Sequence, residues 1–195
     1  MGKETILVRD AVQEDIPGIC AVMPEAFGIY GAAWADPAYV AEGLESCAAG
    51  LSGRQKVKVA REKELVVGCS FSGLALADDG QTAYTDLGVI HAIAVHPDRR
   101  RRGVAAALLA TCEEYLRHDG ARVMIAEVRP QAVAFFADRG YAAVAGPALL
   151  IPTRAGHYVH QQTTVTTALM WKSHSIPVTP QPADHGTTLT GLTDT

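Results

Sequence analysis

No stretch of this sequence approaches the ~18 consecutive apolar residues that a membrane-crossing helix needs, so no membrane partner is expected. The opening MGKETILVRD has no apolar core of the kind a secretory signal requires, and Ile6 stands where an N-myristoylation pattern wants Ser or Thr. Neither secretion nor lipidation is therefore expected. A basic excess is also missing. Lys+Arg is 17 against Asp+Glu 21, a net charge of −4 and a pI near 5.9. A chain whose main partner is nucleic acid is usually basic, so none is expected here. Close cysteine pairs are absent: Cys20, Cys47, Cys69 and Cys112 stand apart in apolar stretches. That excludes a disulfide framework or a zinc knuckle and fits buried, reduced thiols in a cytoplasmic protein. The seven histidines show no HExxH spacing, and no metal site is expected.

What is present is an ordinary globular composition, 48% hydrophobic and 19% charged, over 195 residues. That length matches one domain of ~150 residues with some chain left over. ILVRDA reads as a strand, with Asp10 or Asp15 placed to cap a helix over 12–28. GIYGAAWADP is a loop, and Pro37 starts a second helix. Residues 56–77 alternate and carry Gly68 and the acidic break Glu62-Lys63-Glu64, a hairpin pattern. Thr85 to Val95 is a third long strand, stopped by Pro97.

From Gly103 the apolar period becomes helical, through Val104, Leu108, Cys112 and Leu116, and Gly120 caps the end. RVMIAEV is a strand, PQAVAFFADRG a short helix, and YAAVAGPALLI and HQQTTVTTALMW two closing strands around a loop at 152–157. The sum is a mixed α/β (α+β) fold, with about seven strands and about four helices. The domain covers 1–172. Residues 173–195 carry Pro177, Pro180, Pro182 and many threonines, and read as a flexible tail.

The most informative stretch is HAIAVHPDRRRRGVAAALL. A strand ends at Val95, an arginine-rich turn follows, and a glycine and alanines open a helix. The first turn of a helix leaves four N–H groups without intrahelical partners, beside a partial positive charge. Gly103 and Ala105 are small enough for a ligand to approach the backbone, and Arg99 to Arg102 add charge at the same end. The pattern defines an anion site, most naturally for phosphate. A solvated charge run is the plainer alternative, but arginines at a helix N-terminus oppose the dipole. The stretch lacks the GxxxxGK[ST] of a P-loop and the three spaced glycines of a dinucleotide fingerprint.

Val95-His96-Pro97 followed by Arg100-Arg101-Arg102-Gly103-Val104-Ala105 resembles the R/Q-x-x-G-x-G/A signature of the GNAT superfamily of acyl-CoA-dependent N-acetyltransferases. Ala132 to Tyr141 resembles that family's A-x-x-F-Y-x-x-x-G-F helix. The layout agrees over 6–172, and the motifs are specific over 87–141. The resemblance implies a GNAT-like, mostly antiparallel sheet and acetyl-CoA as co-substrate. It implies that the backbone of Ile93, Ala94 and Val95 pairs with the pantetheine arm and that the amides from Arg100 through Ala106 cradle the pyrophosphate. Arg99 would reach the adenosine 3′-phosphate, and Arg129 and the helix carrying Phe136 would line the rest of the cofactor groove.

The implied reaction is attack of an amine on the acetyl thioester, for which a protonated amine must first lose a proton. His91 is one candidate base, since its ordinary pKa lies near neutrality and strand alternation puts it on one face with Ile93 and Val95. The stretch His-Ala-Ile-Ala-Val resembles the arylalkylamine acetyltransferases, in which a histidine at this place handles the proton. Glu127 is the other: Glu127-Val128-Arg129 resembles the tripeptide that supplies the base in enzymes acetylating protein N-termini. Asp86 is a weaker third. Phe136 stands where the family usually has the tyrosine that protonates the leaving thiolate; Tyr141, Tyr115 and Tyr158 are the available hydroxyls. A thiol of pKa about 8.5 leaves tolerably without an acid.

Phe27, Tyr30, Trp34 and Tyr39 cluster around the loop that walls the acceptor site in the resembled family, with Glu25 and Asp36 among them. Aromatic faces and carboxylates suit a cationic amine. Equally, these rings could simply pack the loop on the sheet. His157, Tyr158 and His160, in the last loop, would flank the same cleft. The expectation is a small-molecule amine acceptor and a monomer or homodimer. The alternatives are a protein amine and a non-catalytic acyl-CoA-binding module.

Overall fold

In the computed structural model, the described residues are 6–31, 33–48, 55–77, 79–80, 82–153, 156–162, 167–174, 176–184 and 186–192. In chain order they form β1 (Leu7–Asp10), α1 (Ile16–Phe27), α2 (Pro37–Ala48), β2 (Lys56–Glu62), β3 (Leu65–Leu76), β4 (Ala83–Val95) and α3 (Val104–His118). There follow β5 (Val123–Val128), α4 (Val133–Ala137), β6 (Ala142–Ala143), β7 (Ala148–Thr153), β8 (Gly156–Gln161), β9 (Ala168–Ser173), β10 (Thr179–Ala183) and β11 (Gly186–Thr190). Seven strands form one sheet in the order β1-β2-β3-β4-β5-β9-β6, and four form a second, β10-β11-β7-β8. β1 with β2, β2 with β3, and β9 with both β5 and β6 run antiparallel. The mixed, mostly antiparallel seven-stranded sheet with four helices is the fold class the sequence implied.

The chain divides into two compact units, Met1–Gly73 with Ile90–Tyr115 and Leu74–Val89 with Leu116–Thr195. In the first, Ile19, Met23 and Val40 of the first two helices pack on Val59, Cys69 and Phe71, all fully buried. A second cluster joins Ala60, Val67 and Val95 to Val104 and Leu108 of α3. Its shape depends on a bulge: Ala60 pairs with Gly68 but Arg61 with Val66, leaving Val67 as the extra residue of β3. The reading of Gly68 as a hairpin signal is corrected. The chain reverses at Lys63-Glu64, with Lys63 left-handed at φ 55°. Gly68 instead permits close approach, since a Cβ there would lie 2.8 Å from the Ala94 carbonyl oxygen and 2.9 Å from Val104.

Asp15 also differs from its reading as a helix cap. Its carboxylate accepts the Val12 amide at 2.9 Å and two hydrogen bonds from Arg9, at 2.6 and 2.9 Å, with Arg61 at 3.2 Å. It stands at the N-cap position of α1 without a side-chain cap bond there, takes instead the amide that opens the short turn Gln13–Asp15, and ties β1 to β2.

In the second unit Leu87, Val123, Ile125, Leu149, Ile151 and Leu189 share one fully buried cluster. The flexible-tail reading of 173–195 is overturned by β10 and β11, which pair over Thr179–Ala183 and Gly186–Thr190, and by the burial of Leu189 and Leu192. Composition hid this for two reasons. Pro180 and Pro182 lie on β10, an edge strand, where proline's missing N–H is tolerated. Thr187 and Leu189 alternate inward among β-branched neighbours, which suits a strand. The two closing strands are likewise four. Gly146-Pro147 separates β6 from β7, and residues 152–157, read as a loop, are mostly the ends of the β7–β8 hairpin.

Candidate active site

The first unit carries the arginine-rich loop. After Val95 the His96 amide donates to the Val67 carbonyl at 3.0 Å, and Pro97–Arg99 form a tight turn in which the Arg99 amide reaches the His96 carbonyl at 2.9 Å. Two left-handed residues follow, Arg101 at φ 64° and Gly103 at φ 87°. Gly103 then supplies the first helical acceptor, its carbonyl taking the Ala107 amide at 3.0 Å. The amides of Val104, Ala105 and Ala106 precede that bond and have no intrahelical acceptor. A Cβ built on Gly103 meets no atom within 4 Å, so the backbone there is open to a ligand. Arg100, Arg101, Arg102 and Gly103 are exposed.

The arginines divide. Glu62, 7% exposed, accepts Arg99 Nε at 2.5 Å and lies 3.7 Å from Arg102. Arg100 and Arg101 have no side-chain partner among the described residues. Ile93 is half-buried, Ala94 fully buried and Val95 buried. Two residues before Ile93, His91 is exposed on β4. Its ring centroid lies 6.4 Å from that of Trp34, which packs edge-on against Tyr39 at 5.5 Å and Phe71 at 5.2 Å. Phe27 is partly buried against the core, and the Tyr30 side chain lies outside the described residues. The structure thus brings Trp34 and Tyr39 to His91's neighbourhood. Phe71, absent from the sequence reading, completes that group; its inward place in an alternating strand was the available signal.

The second unit carries the other candidates. Glu127, on β5, accepts the Thr167 hydroxyl on Oε1 and faces His160 Nε2 at 3.8 Å through Oε2. Tyr158 and His160 belong to β8 rather than to a loop, with the Tyr158 hydroxyl 3.1 Å from His160 Nδ1. Burial pushes the Tyr158 hydroxyl up to about 12, helped by Tyr84 beside it. Burial lowers the His160 pKa, and the Glu127 charge opposes this without overcoming it. Asp86 is a structural partner: its carboxylate lies 3.9 Å from Arg122, whose guanidinium donates to the Leu192 carbonyl at 3.0 Å.

Phe136 is 6% exposed and packs edge-on against Tyr141 at 5.1 Å and Phe135 at 5.4 Å. Arg129 is half-buried and precedes the turn Pro130–Ala132 that leads into α4. Of the other hydroxyls, Tyr115 lies under the Lys56 ammonium at 4.5 Å. Among the described residues no group of His, Cys, Asp and Glu could hold a metal, and no helix is long and apolar enough to cross a membrane.

A tight turn thus leads from a strand into an alanine-rich helix, with a left-handed glycine whose surroundings are open. The chain belongs to the Acetyltransferase (GNAT) family, whose sequence model matches residues 25–141. It is an acetyltransferase by that membership.

Solved structures share its fold. PaiA N-acetyltransferase from Thermoplasma acidophilum, in complex with coenzyme A, superposes with a TM-score of 0.65 at 13% identity, covering 87% of this chain and 99% of that one. Ribosomal-protein-alanine N-acetyltransferase from Brucella melitensis gives 0.62 at 21% identity, covering 86% and 99%. YncA from Salmonella typhimurium, with its cofactor acetyl-CoA, gives 0.62 at 19% identity, covering 88% and 97%. No curated protein matches this sequence.

Proposed function

We propose that this protein transfers the acetyl group of acetyl-CoA to a primary amine of a small molecule in a ternary complex. The observation that carries the reading is the backbone of residues 97–107: two left-handed residues lead into α3, whose opening amides have no intrahelical acceptor, beside exposed arginines and open space at Gly103. Anions bind such helix starts through the unsatisfied amides and the dipole. In this reading the amides from Arg100 through Ala106 hold the pyrophosphate, the backbone of Ile93 to Val95 holds the pantetheine arm, and Arg129 and Phe136 also contact the cofactor.

The amine nitrogen attacks the thioester carbonyl, the C–S bond breaks, and the CoA thiolate departs. The ammonium proton passes to a base. His91, exposed and within an aromatic group, supports a base role, and so does Glu127 with its ordered carboxylate. With phenylalanine at 136 the thiolate leaves without a dedicated acid, tolerable for a group of pKa about 8.5. Trp34 and Tyr39 offer aromatic faces to a cationic acceptor. Three unpaired cysteines among the described residues support a cytoplasmic location.

The test is incubation with acetyl-CoA and a panel of amines that includes peptide N-termini, with free thiol as readout and product mass spectrometry. Thiol release with small amines supports the reading. Release only with peptides moves the acceptor to a protein, and acetyl-CoA binding without release to any amine leaves a binding module.

A further inference from the structure

In the second unit Glu127 has Thr167 on one side and His160 on the other. Its Oε1 takes the Thr167 hydroxyl, and Thr167 is itself braced by Gln162, whose amide reaches that hydroxyl at 3.3 Å and the Thr167 carbonyl as well. On the other side His160 Nε2 lies 3.8 Å from Oε2, with His160 19% and Glu127 14% exposed. That separation is too long for a hydrogen bond. Nε2 is nevertheless buried and hydrogen-bonded to no described residue. A buried ring nitrogen left unmatched costs ~1–3 kcal/mol and calls for a reason.

The opposite ring atom supplies one. Nδ1 lies 3.1 Å from the Tyr158 hydroxyl. That hydroxyl keeps its proton throughout the physiological range, because burial holds its pKa far above it. Burial likewise keeps the imidazole neutral near pH 7. A neutral imidazole has one donor and one acceptor nitrogen. A protonated phenol can donate to Nδ1 or accept from it; with the ring proton on Nε2, Tyr158 donates into Nδ1 and an N–H rather than a lone pair faces the carboxylate. The titratable groups facing the ring are Glu127 and Tyr158, with Tyr84 behind Tyr158 at a ring distance of 5.4 Å.

We propose that His160 is a positioning residue for Glu127: Tyr158 sets its tautomer, and its Nε2–H steadies Oε2 while Thr167 steadies Oε1. The catalytic consequence rests on the reading of Glu127 as proton acceptor; the tautomer does not. An N–H facing a carboxylate favours its charged form, the form a proton acceptor needs.

Two measurements test this on the intact chain. Nitrogen NMR of protein labelled at histidine reads the tautomer directly. A neutral His160 ring protonated at Nε2 between pH 6 and 8, turning into a tautomer mixture in Tyr158→Phe, supports the proposal. An Nδ1–H ring or an imidazolium at pH 7 overturns it. The second measurement is the pH profile of kcat/KM. His160→Leu moves the acid limb up by about one pH unit, and His160→Gln, which keeps an N–H donor, returns it. One unchanged limb in all three proteins overturns the positioning role, even if His160→Leu lowers Tm. Should Glu127→Gln leave turnover unchanged, the base reading and its catalytic consequence fall together, while the NMR outcome still decides the tautomer.

Discussion

Arg99 donates its Nε proton to Glu62 at 2.5 Å, so the arginine expected to meet the cofactor's 3′-phosphate is held by a carboxylate of β2. Arg102 shares that carboxylate at 3.7 Å. If Arg99 and Arg102 meet the cofactor's phosphates, Glu62 competes with the cofactor for both side chains.

Removing the competitor follows directly. Glu62→Gln should tighten acetyl-CoA binding several-fold at low ionic strength, and the gain should fade toward 0.5 M salt. Screening sets that dependence, with a Debye length of about 10 Å at 0.1 M. Calorimetry at two salt concentrations checks it. Weaker binding at both would mean that Glu62 orients Arg99 for the phosphate instead.

Gly103 combines φ 87° with an open Cβ position. Gly103→Ala should fold and lose about 1–2 kcal/mol from the left-handed backbone. Gly103→Glu should fold as well and lose acetyl-CoA binding outright, because its carboxylate occupies the space beside the helix amides. A folded glutamate variant with unchanged calorimetric affinity would remove the phosphate-loop assignment.

His91→Ala should lower turnover by ~10²–10⁴ if His91 is the base. Acetyl-CoA affinity should be nearly unchanged, and the deficit should shrink at high pH as the amine loses its proton unaided. Should His91→Ala act near the wild-type rate while Glu127→Gln does not, the base is Glu127. The two variants, assayed side by side across pH, decide it.

Asp15 predicts an acid limit to stability. Burial by itself raises its carboxyl pKa, but the Arg9 hydrogen bond, the Val12 amide and the charges of Arg9 and Arg61 outweigh burial and leave it below the usual carboxylate range. A group with a depressed folded pKa stabilises above its unfolded value of about 3.9 and loses that contribution as pH falls through the folded one. Asp15→Asn should therefore cost ~1–3 kcal/mol at pH 7 and close to nothing at the lowest pH where the protein stays folded. Tm measured from pH 7 to 3 on both proteins should converge.

The strand–turn–helix from β4 into α3 was legible because each local signal agreed: an alternating strand, a stopping proline, small residues, then a helical period. His91, Gly103 and the arginines follow from adjacency in sequence. The pairing of Arg99 with Glu62 does not, because it joins residues on different strands and turns whose register a sequence does not display. The same holds for Glu127 with His160 and Thr167, brought together only by how β5, β8 and the approach to β9 align. The C-terminal hairpin was misread through composition. Threonine and proline suggest a solvated chain, yet an edge strand accepts proline, and Ile176, Val178, Leu189 and Leu192 supply enough apolar surface to dock.

That hairpin also sets an order of events when the protein is made. β11 is the parallel neighbour of β7, pairing Thr187 with Leu149 and Thr188 with Leu150, and Arg122 grips the carbonyl of Leu192. Until Gly186–Thr190 and Leu192 emerge from the ribosome, one side of β7 has no partner, and Leu149 and Ile151 lack part of their cover. The second unit is thus completed only by residues that follow 172, and a nascent or truncated chain ending near there presents an open strand edge with apolar residues beside it, a template for pairing with another copy.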